Sequence, residues 1–186
     1  MLQHYDKQWL TQEFEQKKPV KYLFFWGHSP KPGEQVGKFC FSQWYELPFT
    51  VEGITYRTAE HWMMAKKALL FNDTEIHDKI IEAVKPGEAK DLGREVRNFD
   101  DQVWKAQRYE IVKQGNIHKF GQSKLFADYL LATGDRVLVE ASPTDTIWGI
   151  GLGGDNPKAQ HPDTWRGLNL LGFALMEVRD TLKAAK

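Results

Sequence analysis

The chain has 186 residues, 41% of them hydrophobic, and its 25 Lys plus Arg are balanced by 25 Asp plus Glu. That length suits one domain with one substantial core, and zero formal charge excludes a global basic field for nucleic acid or anionic membrane, so any polyanion contact must be local. The single Cys40 excludes an internal disulfide framework, no run approaches the ~20 apolar residues of a membrane helix, and the N-terminal MLQHYDKQWLTQEFEQKK has no signal-peptide core, so a cytoplasmic protein is expected.

The first 20 residues are polar and helix-leaning, and they predict a peripheral segment ahead of a domain spanning residues 21–186. Tyr22-Leu-Phe-Phe-Trp26, closed by Gly27, predicts a buried strand, and the Pro/Gly-rich stretch from His28 to Gln35 predicts a loop. Residues 39–44 and 49–56 predict further short strands, the latter turning at Glu52-Gly53. Thr58 is suited to cap a helix from about Ala59 to Phe71, with Glu60 at the positive end of its dipole. Asn72-Asp73 ends that helix; another follows from about Thr74 to Val84, and Pro86-Gly87 opens a third over 88–96. Asp100 or Asp101 caps a long helix reaching about His118, and Ser123 begins one that stops at Thr133-Gly134. Residues 136–141 alternate as a strand that delivers Asp145 and Trp148 from its C-terminal end. The glycine-rich stretch from Gly149 to Pro162 reads as a loop, and the final helix runs from about Trp165 to Ala184. The fold class is α+β: a single compact, mostly helical domain with a few short strands.

Six histidines lie at 4, 28, 61, 77, 118 and 161 without an HExxH or two-Cys pairing, so no metal site is expected. Cys40 has no nucleophile signature around it, and no G-x-S-x-G elbow is present. What remains is a set of carboxylates, Glu60, Glu140 and Asp145, beside the amine of Lys67 and the tryptophans Trp44, Trp62, Trp104 and Trp148. Glu60 and Lys67 are seven residues apart, so on a helix they project from one face, ~10 Å apart along the axis. This set suits cleavage of a glycosidic C–N bond, which needs a group to stabilise an oxocarbenium-like centre, a proton donor for the departing base and flat surfaces for stacking. A Lys with a pKa lowered by burial can also attack a sugar aldehyde. Each residue has a structural use as well: Glu60 as a helix-start charge, Lys67 in a surface pair, Asp145 in a turn. Arg94, with Lys90 and Arg97, offers charge-assisted bonds to phosphate or forms a solvated face.

On these residues the chain resembles the NADAR family of YbiA-like proteins. The resemblance covers most of the chain. It runs through FWG at 25–27, SQWY at 42–45, TAEHWMMAKKA at 58–68, LGREVRNFD at 92–100 and Trp104, then LLATGDRVLVEASPTDTIWGIGL at 130–152 and WRGLNLLGFALMEVR at 165–179. The family implies an α+β domain with N-glycosidase activity on ribose phosphate or ADP-ribose joined to nitrogen. No cofactor is expected. Two substrate classes are implied: phosphoribosylamino-pyrimidine intermediates of riboflavin biosynthesis, and ADP-ribose on guanine in nucleic acid. Carried over by motif, Glu60, Lys67 and Asp145 are the expected catalytic residues. Trp44, Trp104, Trp148, Gly149, Gly151, Arg94 and Asn169 are the expected substrate-binding ones.

Two positions depart from the family pattern. Arg57 stands where Pro commonly precedes the Thr, and Ile150 stands where riboflavin-linked members can carry Asp between the glycines. The W-G-I-G-L form favours an ADP-ribosyl substrate. The expected partner is therefore ADP-ribosylated nucleic acid, or otherwise a phosphoribosyl small molecule, with no membrane partner; the sequence leaves the number of assembled chains open. The rivals of another class are a non-catalytic ADP-ribose or nucleotide reader and a module whose Trp pocket holds a protein segment.

Overall fold

Local chemistry places the helix boundaries. In the computed structural model, which describes residues 3–185, the elements run in the order α1 (Lys7–Glu15), β1 (Tyr22–Phe25), β2 (Phe49–Val51), β3 (Ile54–Tyr56), α2 (Ala59–Leu70), α3 (Thr74–Glu82), α4 (Pro86–Arg94), α5 (Asp101–Gly121), α6 (Lys124–Leu131), β4 (Val137–Glu140) and α7 (Leu170–Ala184). Thr58, Asp73 and Asp100 cap α2, α3 and α5, each accepting a backbone N–H of the first turn, which satisfies donors that a helix start otherwise leaves open. Asn72 ends α2 in the left-handed region at φ 58°, and Pro86 opens α4 at the position where its missing N–H costs nothing. The fold is α+β and mostly helical, and no helix among the described residues is long and apolar enough to cross a membrane.

The chain divides into two units, one of residues 43–124 and one that joins the segment before residue 43 to the segment after 124. In the first, β2 and β3 form an antiparallel hairpin with Phe49 opposite Tyr56. Its turn uses positive φ at both Glu52 (51°) and Gly53 (82°), the geometry that matches strand twist. Helix α2 packs against α3, α4 and α5, and eight of its residues are buried, Glu60 and His61 among them. A glycine on each neighbour allows that approach. A Cβ on Gly115 of α5 would lie 2.8 Å from Trp62 Nε1, and one on Gly93 of α4 would lie 2.9 Å from Met64 Cγ.

The second unit is built on β1 and β4, a parallel pair with Tyr22 opposite Val137 and Phe25 opposite Glu140. Leu138 and Val139 are fully buried, as expected of a strand covered on both faces. Helix α7 packs on β4 with Leu171 through Arg179 all buried. Gly172 lies so close that a Cβ there would collide with the Leu138 carbonyl.

Two expectations are corrected. Residues 39–44 are not a strand: Lys38–Phe41 form one 3-10 turn, in which Cys40 N–H donates to Gly37 O and Ser42 N–H to Phe39 O. The last helix begins at Leu170 rather than Trp165, because the N–H groups that would close its first turns, those of Asn169, Leu170 and Leu171, donate instead to Gly149 O, Ile147 O and Trp148 O, and Asn169 is left-handed at φ 55°. Those donors are committed to residues 147–149 and cannot close a turn that starts at Trp165.

Candidate active site

Glu60 occupies the first turn of α2 and is only 4% exposed, although a carboxylate there could face water and serve the dipole equally well. Its backbone N–H donates to Gln43 O at 3.0 Å. Lys67, two turns on, is half-buried. Its Nζ donates to Gly93 O at 2.6 Å and lies 4.4 Å from the centre of the Phe99 ring and 5.7 Å from that of Trp104. Burial lowers the Lys67 pKa below that of an ordinary lysine, and the charge of Arg94 adds to the shift. A larger share of this amine is therefore unprotonated and nucleophilic at a given pH.

The structure brings Lys67 and Trp104 together, with Arg94 near enough to act on the amine. Arg94 itself is exposed and donates to Asp91 Oδ1 at 2.7 Å. Trp44 lies against α4, with Gly87 beside its ring and Lys90 Nζ 5.8 Å from its centre. The neighbouring His61 is a structural histidine. Its Nε2 faces Ala83 O at 3.1 Å and its Nδ1 the Thr58 hydroxyl at 2.8 Å, so the neutral ring with hydrogen on Nε2 satisfies both contacts, and burial holds its pKa down.

Sequence reasoning missed a polar seam beside Glu60. Asn116 of α5 donates through Nδ2 to Gln43 Oε1 at 2.8 Å and to Val112 O at 2.9 Å, and one turn later Lys119 is fully buried. Gln43 therefore joins Glu60 of α2 to Asn116 of α5. The signal was present in the sequence: Val112, Gly115, Asn116, Lys119 and Phe120 keep helical spacing, so an amide and an amine sit on the apolar stripe.

The remaining expected residues lie in the other unit. Asp145 Oδ1 accepts from Trp148 N–H at 2.7 Å, Ile147 N–H at 2.8 Å and Gly149 N–H at 3.5 Å, and Asp145 O accepts from Gly151 N–H at 3.0 Å. This carboxylate organises the loop that carries the half-buried Trp148. The N–H groups of Gly149 and Gly151 are turned inward to Asp145, so a diphosphate would have to displace those bonds. Asn169, fully buried and left-handed at φ 55°, accepts from Glu140 N–H at 2.9 Å and donates to Leu138 O at 3.0 Å. Both ends of its amide are held by the backbone of β4. A cleft of about 560 Å³ in the same unit, lined by Lys21, Thr133, Asp135 and Arg136 among others, contains none of the expected site residues. Its Arg136 closes the end of α6 by donating to Ala132 O and Thr133 O. Among the described residues, no group of three or more His, Cys, Asp or Glu could hold a metal ion.

A buried carboxylate and an amine of lowered basicity thus lie on one helix, with two aromatic rings near the amine. Comparisons with known proteins define the class of protein that holds them. The family model described as NADAR domain matches residues 24–183, and the chain belongs to the NADAR family. N-glycosidase R617 of Acanthamoeba polyphaga mimivirus is 42% identical over 165 residues, 86% of this chain and 95% of that protein. Riboflavin biosynthesis protein VVA0006 of Vibrio vulnificus is 33% identical over 82% of this chain and 37% of its own length. N-glycosidase YbiA of Escherichia coli is 30% identical over 78% of this chain and 82% of its own. The NMR structure of YbiA aligns with a TM-score of 0.66 at 24% identity, covering 90% of this chain and 89% of that one, and so shares the fold. The chain is an enzyme, an N-glycosidase that hydrolyses the bond between a sugar and nitrogen.

Proposed function

We propose that this N-glycosidase removes ADP-ribose from guanine in nucleic acid, with Glu60 and Lys67 as its reacting groups. The observation that carries the reading is the pairing on α2 of a carboxylate withdrawn from water with an amine whose basicity burial has lowered. Nζ attacks C1 of the ribose as the bond from C1 to the guanine nitrogen breaks, and Glu60 supplies the proton that the departing base takes up. Transfer of a proton to the ring oxygen opens the sugar and leaves an iminium between C1 and Nζ. Water then adds at C1, the bond to Nζ breaks, and the free amine and the sugar aldehyde are restored, so one water is consumed per base released. Trp104 frames the sugar or base beside Lys67, and Arg94 holds phosphate once released from Asp91. Within the other unit, Asp145 and Asn169 hold the loop that carries Trp148.

Ile150 within W-G-I-G-L supports the ADP-ribosyl choice over a phosphoribosylamino-pyrimidine. The second reading rests on the similarity to VVA0006, whose name places that protein in riboflavin biosynthesis. Mass spectrometry separates the two. The chain should convert an ADP-ribosylated guanine oligonucleotide to the unmodified oligonucleotide plus ADP-ribose and leave phosphoribosylaminopyrimidine untouched. The reverse outcome assigns it to the pyrimidine substrate.

A further inference from the structure

Phe99 belongs to none of the roles above, yet its placement is unusually constrained. The side chain is 44% exposed, a position where a large apolar ring gains little from burial. The segment that holds it is fixed at every step. Arg97 donates from its backbone N–H to Asp73 Oδ2 at 2.9 Å and from its side chain to both oxygens of that buried carboxylate. Asn98 takes the left-handed conformation at φ 56°. Asp100 caps α5 through Gln102 N–H at 2.8 Å and Val103 N–H at 3.0 Å. From this rigid stretch the Phe99 ring meets the edge of the buried Phe71 ring at 5.3 Å and turns toward Lys67, whose Nζ is 4.4 Å from its centre. Trp104, one turn into α5, adds a second ring 5.7 Å from the same atom.

We propose that Phe99 is a positioning residue whose ring, with that of Trp104, forms an aromatic cradle for positive charge on Lys67 Nζ. An ammonium near the face of a ring is attracted by the ring's quadrupole. The cradle does for the amine what a carboxylate partner would do, without offering an oxygen that could compete for C1. Burial and the Arg94 guanidinium oppose the charge, the two rings favour it, and Gly93 O accepts from the charged and the neutral amine alike. In the reaction proposed above, on which this second role rests, the same rings face the iminium that forms at Nζ.

The test replaces Phe99 with mono-, di- and trifluorophenylalanine, which drain the ring face of negative potential while nearly keeping its shape. The first readout needs no substrate: the rate at which an amine-selective reagent labels Lys67 at fixed pH below its pKa, followed by peptide mass mapping. Each added fluorine should lower the Lys67 pKa and raise its labelling rate, by about two- to five-fold across the series, the size of a cation–ring interaction at a partly exposed site. A purely structural Phe99 leaves the rate flat, and a flat or falling series overturns the proposal. The second readout is the fraction of Lys67 trapped by borohydride during turnover of the ADP-ribosylated guanine oligonucleotide, which should fall along the series. A chain that labels as expected but never cleaves the oligonucleotide upholds the cradle and removes the substrate reading, so the two fail separately.

Discussion

Gly115→Ala tests the packing on which the site depends. The new methyl carbon would lie 2.8 Å from Trp62 Nε1 and 2.9 Å from Cγ, with Cδ1 closer still, so either the indole or α5 must move. Overpacking of this kind costs about 1–3 kcal/mol. Losing the 2.8 Å bond from Trp62 Nε1 to Ile111 O adds about 1 kcal/mol, and the better helix propensity of Ala returns about 1 kcal/mol. The balance is a destabilisation of about 1–3 kcal/mol. Urea denaturation should show it as a lower midpoint with unchanged slope, and Tm should fall by roughly 2–4 °C per kcal/mol for a chain of this size. Gly87→Ala is the internal control. Its methyl would meet the Trp44 ring at 3.6 Å, ordinary contact distance, so that variant should be neutral or gain up to about 1 kcal/mol. A Gly115→Ala protein as stable as the parent would refute the close approach of α5 to Trp62.

The site makes three further predictions. Glu60→Gln should cut turnover by about 10²-fold or more, the usual size of a lost acid–base group, with little change in substrate affinity; loss of binding at unchanged turnover would move Glu60 out of the chemistry. The pH profile of kcat/KM should rise to a plateau at the Lys67 pKa, below the ordinary 10.5, and Arg94→Ala should move that limb to higher pH by removing the nearby positive charge; a limb that stays in place excludes Lys67 as the titrating amine. For His61 the folded-state pKa is below 6.5, so the unfolded chain takes up the proton first as pH falls through 6.5, and stability declines from there toward the folded-state value. Urea midpoints measured from pH 7 downward should show this slope, and it should flatten in His61→Gln.

The parts of the fold that were legible in the sequence are those decided locally. Thr58 and Asp100 cap the helices they were read to cap, and Glu52-Gly53 makes the hairpin turn. The alternating aromatic residues of 39–44 suit a strand and a buried turn equally, and only packing selects the turn. The start of α7 is not legible locally because its first donors are claimed by carbonyls at 147–149, about 20 residues earlier. At the site, helical spacing placed Glu60 and Lys67 on one face of α2, but the approach of Lys67 to Trp104 of α5 is a tertiary contact that no local spacing encodes. The burial of Lys119 was legible only in its helical spacing with Val112, Gly115, Asn116 and Phe120, a signal that its type masks, since lysine is ordinarily solvated. Nor could the sequence show that Phe99, between a left-handed Asn98 and a capping Asp100, would be held over an amine from another helix.

Borohydride quenching during turnover of an ADP-ribosylated guanine oligonucleotide bears most directly on the chemistry proposed for α2. Peptide mapping should find a reduced sugar adduct on Lys67, absent from Lys67→Arg. Full release of ADP-ribose with no adduct, or with the adduct on Lys119 instead, would contradict it.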